Sequence, residues 1–275
     1  MTKAILIVCV FTFLIHMTES LAYCMRLAGL RSRQIAIAMS FVTSTLLISR
    51  LSNMFQAPVL GTLVDLAVLR GTPEAIASLE HAFRLVIFAA FLGSLVGAFL
   101  TPTLVILFQK AITRFLKGTS LPGLVIYAAH PARLREIWRI FKPPSLAQLR
   151  TTSLKNLPKG FLMTNAVVTS VYTIGVLCAL LAGAYLPDFR ATAFQLSGIV
   201  NGLATILLTL VVDPSGARIT DQAYHGVRPD DDVRNVVFFL LVGRLVGTLV
   251  LAQVIFLPFS AYIAFVTKLI AHVAL

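Results

Sequence analysis

Three ionisable side chains stand in stretches too apolar to shelter them: Glu19, Arg50 and Arg244. A charge at the centre of a bilayer-length helix costs about 2.5–3.5 kcal/mol on insertion scales. Facing lipid, the three together would cost on the order of 8–10 kcal/mol, comparable to the net stability of a whole domain. The expectation is that they face a bundle interior, a water-filled cavity or one another. His16 precedes Glu19 by three residues and shares its helix face. It can share a proton with Glu19 or cap a polar contact, and the spacing leaves both open. Asn53 follows Arg50 by about a turn, with Gln56 close to that face. Asn165, Gln195 and Asn201 bring amides into later apolar runs. Glu19 can neutralise one arginine of the two, and Arg26 adds positive charge near one end of its run. Arginine in excess of carboxylate within a membrane calls for an anionic ligand, and the planar guanidinium fork suits phosphate bidentately. Arg26, Arg50, Asn53, Gln56, Asn201 and Arg244 are therefore the candidate substrate-binding residues. His16 and Glu19 are the candidate coupling or ion-pair residues.

The elements that position these residues follow from composition. Of 275 residues 58% are hydrophobic and 12% charged, where a soluble domain carries about a quarter charged. Mean hydropathy is +0.90. Such a chain cannot cover a globular surface with polar groups, which excludes a soluble enzyme, and it is too apolar for intrinsic disorder. The reading is an all-α polytopic membrane protein, one transmembrane domain over residues 1–275 with about six spans. These run near Ala4–Leu27, Ile35–Leu60, Leu85–Phe108, Gly160–Leu186, Ala191–Val212 and Asn235–Leu257. The N-terminus imitates a signal peptide, but His16 and Glu19 interrupt the approach to its small-residue site, so it reads as a retained first span. Pro258 kinks or ends the sixth span, leaving Pro258–Leu275 as a re-entrant segment or an extension.

The net charge of +12 sits between the apolar runs. In the long connection 109–159, Lys110, Arg114, Lys117, Arg133, Arg135, Arg139, Lys142, Arg150, Lys155 and Lys159 face the lone acid Glu136. Arg31 and Arg33 lie in the first connection, and Arg218, Arg228 and Arg234 flank the fifth. Alternation puts all three connections on one side, and the positive-inside rule makes it cytoplasmic, with both termini outside. The basic residues lack the aromatic interleaving of a nucleic-acid surface, so no nucleic-acid partner is expected. Leu134, Ile137, Trp138 and Phe141 recur at helical spacing among cations, which predicts an amphipathic helix on the inner leaflet over Ala132–Phe141.

Ser49, Asn53, Leu60, Val64 and Asp65 recur 148 residues on as Ser197, Asn201, Leu208, Val212 and Asp213. That shift lays the first three spans on the last three, and an odd number per half admits a 3+3 inverted repeat with a site near the midplane.

Reaction motifs are missing. There is no Gly-rich phosphate loop, no His-Glu-x-x-His or Cys-x-x-Cys, and no Gly-x-Ser-x-Gly. The three cysteines read as small core hydrophobes. Asp230-Asp231-Asp232 could suggest a Mg²⁺–diphosphate site, but it stands alone at the expected start of the sixth span, where acids favour the helix dipole. No cofactor or metal is expected, and the class is a transporter or flippase without nucleotide hydrolysis. The alternatives are transport of another anionic or polyprenyl-phosphate lipid, and a membrane enzyme acting on a lipid diphosphate.

The segments Glu19-Ser20-Leu21-Ala22-Tyr23-Cys24-Met25-Arg26-Leu27-Ala28-Gly29 and Ser49-Arg50-Leu51-Ser52-Asn53-Met54-Phe55-Gln56-Ala57-Pro58, with Asp65, resemble the Amj family of alternate lipid II flippases. Ile199-Val200-Asn201-Gly202 through Asp213-Pro214 resembles the family's fifth span. The resemblance implies movement of the undecaprenyl-pyrophosphate-linked peptidoglycan precursor, lipid II, from the inner to the outer leaflet of the bacterial cytoplasmic membrane. It also implies a role as a substitute for the unrelated flippase MurJ. No family residues are carried over, so the candidate site rests on the charge argument.

Overall fold

The computed structural model describes residues 2–130, 139–145, 150–155 and 157–274, and these form helices and no strand. Six helical spans are long and apolar enough to cross a membrane: the chain is an all-α, multi-pass membrane protein. In order they are α1 (Thr2–Arg31), α2 (Ile35–Arg70), α3 (Pro73–Leu116), the short α4 (Leu121–Ala129) and α5 (Lys159–Tyr185). Span five joins α6 (Arg190–Leu207) to α7 (Asp213–Tyr224) through a widened π-helical turn at Leu208–Val212. Span six joins α8 (Asp230–Val246) to α9 (Ala252–Ala274) through another at Gly247–Leu251. The helices overrun the lengths expected from hydropathy, because helix continues past the apolar window wherever nothing breaks it. Pro258 lies inside α9, and the tail extends the sixth span as helix to Ala274.

Turn chemistry sets the connections. Gly71 adopts φ +62° and closes α2, a left-handed conformation that side chains resist. Thr72 then caps α3, its hydroxyl accepting from the Ala75 N–H at 3.3 Å, with Pro73 in the first turn where its missing donor does no harm. At the far end of span five, Asp230, Asp231 and Asp232 occupy the first turn of α8, as the dipole argument anticipates. Two of them are held in ion pairs, Asp232 with Arg228 at 3.2 Å and Asp231 with Arg234 at 3.0 Å.

α1 packs chiefly on α3 and α2, and α5 on span five and span six. Two apolar cores result. One gathers Leu60, Leu63, Leu79, Phe83, Leu181 and Phe256. The other gathers Met25, Leu30, Phe41, Ile112, Ile219 and Leu240 at the end carrying the basic connections, called here the basic end. Between the two cores lies a belt of buried polar side chains, His16, Ser20, Ser49, Ser94, Asn165 and Arg244.

The halves match in order. Spans one to three have 29, 36 and 44 residues, and spans four to six have 27, 38 and 44. Pro58 in α2 and Pro102 in α3 fall, 148 residues on, beside or within the two π-helical turns of spans five and six. Both devices interrupt the regular backbone ladder. The amphipathic helix expected over Ala132–Phe141 lies, for residues 132–138, outside the described part of the chain.

Candidate functional site

α1 carries His16, Glu19, Ser20 and Tyr23 at helical spacing, on one face. Burying that face requires close neighbours, and α3 supplies one through Gly93-x-x-x-Gly97. A Cβ at Gly93 would collide with the Phe13 carbonyl, and one at Gly97 would come within 2.6 Å of the Ser20 Cβ. This small-x-x-x-small approach is how membrane helices cross closely. It sets Ser94 against the belt.

Span six brings Arg244 into the same place. Its Nη2 pairs with the Glu19 carboxylate and meets His16 Nδ1 at 2.9 Å, and its Nε donates to the Ser94 hydroxyl at 3.3 Å. The second carboxylate oxygen of Glu19 accepts from the Ser49 hydroxyl at 3.0 Å. The two charged side chains are 6% and 12% exposed. Next to them Tyr23 donates to Asn165 Oδ1 at 2.9 Å, while the Asn165 amide donates to the Leu240 carbonyl at 3.0 Å. Gly243 and Gly247 let span six approach α5 closely enough for that contact, since a Cβ at Gly247 would lie 2.6 Å from the Ala166 carbonyl. The π-helical turn begins three residues after Arg244, and such turns recur at functional sites.

A cavity of about 50 Å³ adjoins this network, lined in part by Thr12, His16, Asn53, Gln56, Tyr172 and Asn201. At about 10–15 Å³ of such volume per molecule it holds a few waters, far less than a sugar. Thr12 donates to Gln56 Oε1 at 3.1 Å. The Asn201 Oδ1 is buried and has no hydrogen-bond partner, a vacancy that a water or a ligand donor fills. Asn53 and Asn201, which the 148-residue shift superposes, thus meet at one cavity. Among the described residues α2 and α6 scarcely touch, so the cavity lies at the floor of a cleft between spans two and five. His16 belongs to both the cavity and the ion-pair network.

Several sequence expectations are corrected. Arg50 does not face the interior: it is exposed, beside exposed Leu51 and Met54. The reason is angular. Ser49, Ser52, Gln56 and Leu60 form the buried stripe of α2, and a neighbour one residue on is rotated about 100° away. Arg50 lies about one turn before Asn53, which lines the cavity, but is not itself among the lining residues. Arg26 is buried but matched: its Nη2 donates to Asp213 at 2.7 Å, and Gly216 gives it room. The expected excess of unpaired guanidinium in the bundle interior is therefore absent, since Arg244 and Arg26 each hold a carboxylate. Gln195 is exposed.

Sequence reasoning missed Ser49, Ser94, Tyr23 and Tyr172, because hydroxyls are common in membrane helices and carry no spacing signal. It also missed a third inter-half pair, Arg190 with Asp65 at 2.8 Å. Asp65 and Asp213 are equivalents under the repeat, and each binds an arginine of the other half. The Arg26 pair lies toward the basic end and the Arg190 pair toward the opposite end. Among the described residues no three His, Cys, Asp or Glu side chains come together as a metal site.

Comparison with known proteins now bears on this arrangement. The family model for Amj, described as Alternate to MurJ, matches residues 11–267. The protein named Lipid II flippase Amj from Bacillus subtilis (strain 168) is 35% identical over 268 residues, covering 97% of this chain and 98% of that relative. No solved structure matches.

Proposed function

The chain belongs to the Amj family, and from that premise we propose that it is a lipid II flippase, carrying the undecaprenyl-pyrophosphate-linked peptidoglycan precursor from the inner to the outer leaflet. The observation that carries this reading is a likeness running along the whole length of a relative bearing that name. It works without nucleotide hydrolysis, and the basic end faces the cytoplasm with both termini outside, following the charge of its connections.

The geometry supports a specific way of working. A diphosphate must cross about 30 Å of hydrocarbon shielded from it, while the polyprenyl tail stays in lipid. The cleft between spans two and five opens sideways. It offers the neutral polar groups Asn53, Gln56 and Asn201 at its floor, with exposed Arg50 about one turn before Asn53 on α2. The head group enters there, and its donors meet the unpaired Asn201 carbonyl oxygen. With a central cavity of about 50 Å³, this structure is a closed state that must widen before it takes cargo.

The inter-half ion pairs at the two ends are the latches of that widening. Breaking the Arg26–Asp213 pair frees the halves at the basic end, and breaking the Arg190–Asp65 pair frees them at the other. Glu19 is the coupling group. A proton on it releases Arg244 from its carboxylate, and the guanidinium then exchanges that partner for the diphosphate.

The test is exposure of lipid II on the outer leaflet in cells depleted of other flippases. The wild-type chain should restore exposure and Arg50→Ala should restore much less at equal expression. Absence of lipid II exposure with the wild-type chain overturns the reading. A Glu19→Gln chain that still transports but has lost its pH dependence supports the coupling role.

A further inference from the structure

A second cavity, of about 170 Å³, opens at the basic end where α1, α3, α8 and the connector after residue 139 converge. Among the described residues its charged lining is Arg31, Lys142 and Arg234, with no carboxylate. Hydroxyls of Thr101 and Ser145 complete its polar wall. Each cation arrives by a different route. Arg31 is the last residue of α1, and Arg234 stands in the second turn of α8. Lys142 is brought in by its backbone: Thr103, almost wholly buried, accepts from the Lys142 N–H at 3.0 Å and donates to the Lys142 carbonyl at 3.2 Å. Phe99 and Phe141, with ring centres 5.9 Å apart, hold the same stretch of connector against α3.

The Arg234 guanidinium supplies the sharper clue. Its Nη1 meets Asp231 at 3.0 Å, at the exposed start of the helix. Its Nε is buried and has no hydrogen-bond partner. A buried guanidinium donor left unsatisfied beside two more cations is matched by an anion with several acceptor oxygens. Asp231 offsets one of the three cations, and the two that remain exceed what the single charge of a phosphodiester head group balances, whereas a diphosphate carries at least two.

We infer that this pocket receives the diphosphate of a lipid at the inner leaflet, before the head group reaches the cleft between spans two and five. The inference rests on the flippase reading for the identity of the lipid and for the side on which it stands. It assigns Arg31, Lys142 and Arg234 to a loading site separate from the central belt. It also gives the basic connection a task beyond orientation, because Thr103 ties that connection to α3 at the pocket wall.

The experiment is calorimetric titration of the full chain, reconstituted in discs of neutral phosphatidylcholine, with inorganic pyrophosphate. Arg234→Gln and Lys142→Gln should each weaken pyrophosphate binding about tenfold, the loss expected for one charge-assisted contact. Lys268→Gln, in α9 at the opposite end, should leave it unchanged, and all three should unfold at the wild-type temperature. Unaltered binding in both Arg234→Gln and Lys142→Gln overturns the assignment. So does a pocket that phosphatidylglycerol discs block as fully as pyrophosphate fills it, since a phosphodiester then suffices. Lys142 lies in a connector, so its variant keeps the test intact even if Arg234→Gln perturbs α8. Pyrophosphate binding lost in these variants, in a chain that moves no lipid II, would leave the pocket standing and remove the flippase reading. Lipid II movement with unaltered binding would do the reverse.

Discussion

Arg244 and Arg50 are the same residue type at similar distances along their helices from the basic end, yet the fold treats them oppositely. Arg244 is buried with the Glu19 carboxylate, His16 and Ser94 around it. Arg50 is exposed, and no protein partner reaches it among the described contacts. Insertion cost is therefore a constraint with two solutions: a charge can be neutralised inside the bundle, or it can be turned to an opening where water or a ligand meets it. A paired charge fixes helices relative to one another, whereas an exposed one is available for binding. The difference separates a residue that ties helices together in the belt from one that the proposed function assigns to cargo binding.

The largest expected effect breaks the buried side of this comparison. Arg244→Leu leaves Glu19 and His16 buried without the guanidinium, and should lower unfolding stability in detergent by about 3–5 kcal/mol. Adding Glu19→Leu to it should recover much of that loss, because a buried pair replaced by apolar groups of similar volume is near neutral. A single variant as stable as wild type would mean the pair lies in water. Arg50→Ala, by contrast, should change stability by less than about 0.5 kcal/mol while lowering lipid II exposure. Equal damage to stability from Arg50→Ala and Arg244→Leu would erase the distinction. The ion pairs at the two ends sharpen it further. Arg26, whose side chain is 7% exposed, should cost about 1.5–3 kcal/mol on change to alanine. Arg190, at 38%, should cost at most about 1 kcal/mol, and less in high salt. If the two prove equal, the end opposite the basic one is as tightly closed as the basic end.

Much of this was legible in residues. Glu19 and Arg244 were recognisable as charges that lipid would not tolerate and an ion pair between them was one reading, but one carboxylate for two arginines pointed instead to an anionic ligand. A shift of 148 residues aligns Asn53 with Asn201 in the sequence, and both line the central cavity. Arg50 was misjudged because hydropathy reports depth and says nothing of azimuth. One residue of rotation decides between the stripe of Ser49 and Gln56 and the open face. Arg26 was misjudged for a related reason: its partner Asp213 is 187 residues away in sequence, and neither neighbourhood announces the other.

The amino-acid sequence on its own determined that this chain crosses a membrane about six times, because backbone groups in hydrocarbon must bond within their own helix and 12% charge cannot clothe a soluble surface. It determined the basic side, through the distribution of lysine and arginine. Only the tertiary structure decided which charges would be spent on one another. Coulomb attraction and hydrogen bonding act over a few ångströms, and the helix crossings that bring Gly93 to Phe13 and span six to Glu19 set those distances.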